Sequence, residues 1–107
     1  MTVTDTSPLG GAGPTAPTIV HLSGELDIVT CQPLRCELRG VLRYSSDLLI
    51  LDLAGVTFCD ACGLAVLIDI QRRARQRGIV LALAAPRPCV SRLLHIAGLD
   101  RSLPIVV

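Results

Sequence analysis

Two cysteines separated by two residues, Cys59-Asp60-Ala61-Cys62, stand where an apolar run gives way to a helical pattern. A C-x-x-C at a strand-to-helix junction can carry thiol–disulfide chemistry, because a thiol near a helix N-terminus can have a depressed pKa. Asp60 opposes this, since its carboxylate disfavours a neighbouring thiolate, and inert free cysteines are the simpler expectation. Asp60 also reads as a helix opener whose side chain accepts hydrogen bonds from the N–H groups of Cys62 or Gly63. Gly63 allows close approach by the neighbouring strand or by a partner. Asp27 closes Gly24-Glu25-Leu26-Asp27 and reads as a turn former at the same end of the sheet as Asp60. A zinc site from Cys59, Cys62, Cys89 and His95 matches no ligand spacing, and no metal is expected. His95 reads as packed within a helix, and His21 as a half-exposed strand residue. Arg72, Arg73, Arg75 and Arg77 read as a solvated face, with Asp69 pairing with Arg72 or Arg73 at helical spacing. The rival reading is a docking patch for an acidic partner. No Ser-His-Asp arrangement, P-loop or dinucleotide fingerprint occurs, so neither an enzyme nor a cofactor is expected.

The elements that must position these residues follow from composition and pattern. The chain has 107 residues, which suits one domain, and half of them are hydrophobic. Its aromatic residues are Tyr44 and Phe58, so the core must be built from Leu, Val, Ile and Ala, which favours helices layered on a sheet. A net charge of +1 argues against a nucleic-acid binder. No signal-peptide pattern and no apolar run of about 18 residues is present. With an odd count of five cysteines, that predicts free thiols in a reducing cytoplasm.

Residues 1–17 are rich in Gly, Pro and Thr and are expected to be a mobile tail, with a candidate edge strand near Thr2–Thr4. The folded domain is expected over 18–107. Thr18–Leu22 reads as a strand ended by Ser23-Gly24. A helix follows over Cys31–Arg43, with Thr30 as its cap and Leu34, Leu38, Val41 and Leu42 on one face. Leu48–Leu53 reads as a strand covered on both faces. Asp60 opens a helix running to Arg77 and stopped by Gly78. Gly63, Leu67, Ile70 and Ala74 form its stripe, which Leu64, Val66 and Ile68 widen. A strand over Ile79–Ala84, a helix over Cys89–Ala97 closed by Gly98, and a short strand in the last residues complete the order. Right-handed crossovers make this an α/β fold: a small, mainly parallel, mixed sheet of four to five strands with helices packed on it.

The strings TIVHLSGELD, LLILDLAGVTFCDACGLAVL and HIAGLD, in this strand and helix order, resemble the STAS family. That family comprises bacterial anti-sigma factor antagonists and the cytoplasmic domains of sulfate transporters. The resemblance covers Thr18 to Asp100. It implies a protein-binding switch whose partner is an anti-sigma factor of the serine-kinase type, with no nucleic acid and no membrane engaged directly. It places the contact and switch residues at Asp60, Ala61, Cys62 and Gly63, with Asp27 from the earlier loop.

In the family pattern Asp-Ser-Ser-Gly the second Ser is phosphorylated. A helix N-terminus can host a phosphate, and the added charge disrupts docking. Ala61 and Cys62 align with the two serines, so neither position carries a hydroxyl, and Cys62 would act as a small uncharged group fixed in the binding-competent form. Two alternatives stand beside this: a thiol redox-responsive protein using Cys59 and Cys62, and a STAS subunit of a larger transport or stress-signalling assembly. Many family members continue past the Leu-Asp-Arg stretch into a further helix. Bare apolar surface on that side would favour association, whether as a homodimer or with further protein partners.

Overall fold

The computed structural model of the chain describes residues 1–5 and 17–106. Of the expected mobile tail, residues 6–16 lie outside the described residues, and Thr2–Asp5 form a strand, β1. The order continues with β2 (Thr18–Leu26), α1 (Cys31–Leu42), β3 (Leu48–Cys59), α2 (Ala61–Gln76) and β4 (Val80–Ala84). After these come α3 (Pro88–Ile96), a 3-10 turn over Leu99–Arg101, and β5 (Ile105–Val106). The strands make one five-stranded sheet in sequence order, β1 antiparallel to β2 and the other neighbours parallel. This is the mixed, mainly parallel α/β sheet that the strand–helix alternation predicts.

The core is a set of cross-strand rows. Thr18, Leu49 and Leu81 share one row and Val20, Leu51 and Leu83 the next, and all six are buried. Side chains alternate across a strand, so Leu49, Leu51 and Leu53 point to one face and Leu48, Ile50 and Asp52 to the other. The second set is only partly buried. The apolar run of β3 is therefore not sealed on both faces as expected. α1 and α2 pack against each other, α2 also meets β3 and β4, and α3 lies against β3.

Two strands outrun their expected ends. β2 does not stop at Ser23-Gly24 but continues to Leu26 through register shifts at His21/Ser23 and Gly24/Glu25. Gly24 has φ of 109°, and irregularities of this kind let a strand take up such a residue and keep pairing. β3 runs on to Cys59 as its partner. In α1 the buried face is Leu34, Leu38, Val41 and Leu42, as its periodicity predicts. In α2 the stripe Gly63, Leu67, Ile70 and Ala74 is buried together with Leu64 and Val66. Ile68 departs from expectation and is exposed. Four steps along a helix advance about 40°, enough to carry Ile68 past the covered edge that Leu64 still occupies. Ala61 and Ala65 are exposed too, so the first half of α2 is not enclosed all round.

Candidate functional site

The carboxyl ends of β2 and β3 stop side by side. Leu26 is paired with Cys59, and the Asp60 N–H donates to the Leu26 carbonyl at 3.2 Å. The chain leaves both strands at the same end of the sheet and begins α1 and α2 there. Asp60 caps α2 as expected: its Oδ1 accepts from the N–H groups of Cys62 at 2.9 Å and Gly63 at 3.2 Å. These bonds satisfy two of the donors a helix start leaves unpaired.

Thr30 does not cap α1 with its side chain, contrary to the expectation from its type. Its backbone is already helical, and its hydroxyl turns back to donate to the Glu25 carbonyl at 2.6 Å and accept from the Asp27 N–H at 2.9 Å. Asp27 takes over the capping task. Its Oδ1 accepts from the N–H groups of Val29 at 3.0 Å and Thr30 at 3.1 Å. The Thr30 N–H and, more weakly, the Val29 N–H hold the Asp27 carboxyl below its ordinary range against the opposing pull of desolvation.

Ala61 is exposed, Cys62 half-buried and Gly63 buried. A Cβ at Gly63 would lie 2.8 Å from Cys59 Sγ and 2.9 Å from Leu26 Cβ, so the close approach here is made by the neighbouring strands. Cys59 is half-buried, and burial first, then the Asp60 charge, pushes its thiol up to about 11. Such a thiol is a poor nucleophile at neutral pH, which weakens a C-x-x-C redox role. All five cysteines are free.

Cys31, the first residue of α1, is buried. Its thiol is raised by burial and then by Cys62 and Asp60. The ligand atoms of Cys31, Asp60 and Cys62 lie within 4.8 Å of one another. Sequence reasoning missed Cys31, because nothing in its spacing ties it to Cys62. Cys59, Cys89 and His95 do not join this group among the described residues. His95 is exposed rather than packed, with Nδ1 2.8 Å from Asp100 Oδ2. His21 is half-exposed as expected, with Nδ1 2.7 Å from Asp52 Oδ2 on the adjacent strand.

Large apolar side chains close in sequence to the two helix starts are exposed. Ile28 and Val29 are each 77% exposed, and Phe58 at the end of β3 is 47% exposed. A shallow depression of about 310 Å³ between the helix starts is lined by Ile28, Cys31, Gln32, Arg35, Cys62 and Ala65. Sequence reasoning also passed over Ile28 and Val29, although two apolar residues in a polar loop were the available signal. Lower on the helices, Asp69 Oδ2 lies 3.1 Å from Arg73, and 3.6 Å from both Arg35 and Arg39 of α1. This cluster ties α2 to α1, with Arg73 as the helical partner of Asp69.

Residues 12–106 match the STAS domain family. The chain belongs to this family. An anti-sigma F factor antagonist of Paenibacillus polymyxa is 34% identical over 88 residues, 81% of this chain and 75% of that protein. The solved structure of an anti-sigma factor antagonist from Mycobacterium paratuberculosis superposes with a TM-score of 0.78 at 27% identity, over 97% of this chain and 85% of that one. SpoIIAA, an anti-sigma factor antagonist solved in its unphosphorylated form, shares the fold with a TM-score of 0.71 at 19% identity, over 84% of this chain and 79% of that one. In this STAS domain no helix among the described residues is long and apolar enough to cross a membrane.

Proposed function

We propose that this STAS domain is an anti-sigma factor antagonist. It docks on an anti-sigma factor of the serine-kinase type through the start of α2 and the loop after β2, and so frees a sigma factor for transcription in the cytoplasm. The observation that carries this reading is the presentation of two capped helix N-termini at one end of the sheet, with the exposed Ile28 beside Cys62 and Ala65 in the depression between them. An open depression with an exposed Ile at its rim and small apolar side chains in its lining favours a protein partner. Ala61 and Cys62 form the contact, and Asp27 and Asp60 hold the two loops in shape. Gly63 seats α2 against Leu26 and Cys59. Cys62 stands where the family pattern has its phosphoacceptor, and a serine kinase has no hydroxyl to act on there. The domain is therefore held in the unphosphorylated, binding-competent form.

The test separates folding from docking. A carboxylate at residue 62 gains about 0.3–1 kcal/mol from the helix N-terminus, which repulsion from the nearby Asp60 carboxylate offsets, so Cys62→Asp should leave folding nearly unchanged. Across a dry interface the same unpaired charge should weaken binding by several kcal/mol, roughly 3–5. Calorimetry with a purified anti-sigma kinase reads the difference, and intact mass should show phosphate on Cys62→Ser but not on the parent. Equal affinity of the parent and Cys62→Asp would place residue 62 outside the interface and sink the reading.

A further inference from the structure

We propose that Cys31, Asp60 and Cys62 form a binding site for a divalent cation of the zinc class. The three side chains come from two helix starts and converge with their ligand atoms inside 4.8 Å. Tetrahedral zinc with Zn–S of about 2.3 Å sets sulfur atoms about 3.8 Å apart, so closing on a metal needs shifts of about 1 Å or less. Asp60 uses Oδ1 for the cap, which leaves Oδ2 available as a ligand. Two thiolates and one carboxylate suit a borderline-soft cation rather than magnesium or calcium, which prefer all-oxygen shells.

The surroundings favour such a centre. Cys31 is the first residue of α1 and Cys62 lies in the first turn of α2, so both sulfurs sit at positive helix ends. A zinc ion with two thiolates and a carboxylate has a net charge of −1, which those ends stabilise. Binding displaces the two thiol protons to solvent, with no change of oxidation state. Three protein ligands leave a fourth position, and the depression beside Cys31 and Cys62 gives water or an external ligand access to it. The site lies within the proposed docking surface, so a bound metal would also place negative charge there. That consequence rests on the docking reading, whereas metal binding does not.

The experiment uses the full chain under a phosphine reductant, without any partner, titrated with cobalt and then with zinc against a chromophoric chelator. One cobalt per chain is expected, with thiolate charge-transfer absorption and the visible bands of a tetrahedral ion, displaced by zinc. Cys31→Ser and Cys62→Ser should each lose at least about 100-fold in zinc affinity, the upper end of what loss of an outer-shell partner costs. Cys36→Ser, Cys59→Ser and Cys89→Ser should bind as the parent does. Asp60→Asn keeps a good cap and therefore the fold, and should weaken binding by about tenfold or more. Circular dichroism confirms that each variant is folded, and an unfolded Cys31→Ser leaves Cys62→Ser and Asp60→Asn to decide. Absence of thiolate charge transfer in the parent, or loss on Cys59→Ser with retention in Cys31→Ser or Cys62→Ser, overturns the site.

Discussion

The five thiols of this domain occupy different environments, and burial rather than sequence neighbourhood separates them. Cys36 and Cys89 are exposed, Cys31 is buried, and Cys59 has its thiol raised to about 11. A thiol with that pKa is thiolate in only about one molecule in a thousand at pH 8, and the thiolate is the reactive form. Iodoacetamide at pH 8 should therefore modify Cys36 and Cys89 well before Cys59, as read by peptide mass spectrometry over time. Cys59 reacting as fast as the exposed pair would mean that it is far less shielded than its surroundings imply. It would also revive the Cys59–Cys62 redox reading.

At the scale of elements, two helical glycines should respond to alanine with opposite signs. A Cβ at Gly63 meets Leu26 Cβ at 2.9 Å, an atom fixed to its backbone, so Gly63→Ala should cost about 1–3 kcal/mol by overpacking. Gly40 in α1 has nothing within 4 Å of such a Cβ, so Gly40→Ala should stabilise by about 0.5–1 kcal/mol. Urea unfolding of the two variants checks both signs.

The α1–α2 contact adds a pH-dependent term. Burial raises the Asp69 carboxyl, but the hydrogen bond and charge of Arg73, with Arg39 and Arg35, outweigh it and leave its pKa below 3.8. A carboxylate with a depressed folded pKa contributes stability that is present above the unfolded value and lost as pH falls through the folded one. Asp69→Asn should therefore cost about 1 kcal/mol near neutrality, and the difference from the parent should shrink as pH drops below 3.8. A difference that persists unchanged in acid would mean the ion cluster is not its source.

For the whole molecule, the N-terminal segment completes the sheet. β1 covers the free edge of β2, with Val3 opposite Leu22, and Met1 and Val3 pack against the core. Removing residues 1–5 would leave a long strand with unpaired N–H and C=O groups, a surface prone to pairing with other chains. Faster hydrogen exchange confined to β2 and a concentration-dependent shift toward larger species on size exclusion are the expected outcomes. A truncated chain that stays monomeric with unchanged exchange in β2 would show that the edge is protected by other means.

The order of the elements and the inward face of α1 were legible in the sequence, because each rests on local periodicity and local stop signals, whereas the unbroken apolar run of β3 hid which of its faces is covered. Leu34, Leu38 and Val41 repeat at helical spacing, and Asp60 announces a helix start within three residues. Strand ends were read less well. The register shifts that carry β2 past Gly24 exist only because β3 runs alongside it. Asp27 rather than Thr30 caps α1 through bonds two and three residues along the chain, so that signal was local and was passed over. Tertiary structure alone decided that Ile28 and Val29 remain uncovered. It also decided that Cys31 meets Cys62 and Asp60. Each of these depends on how two helices from separate crossovers are laid against one sheet end. Contacts between residues distant in the chain leave no periodic trace in a single sequence.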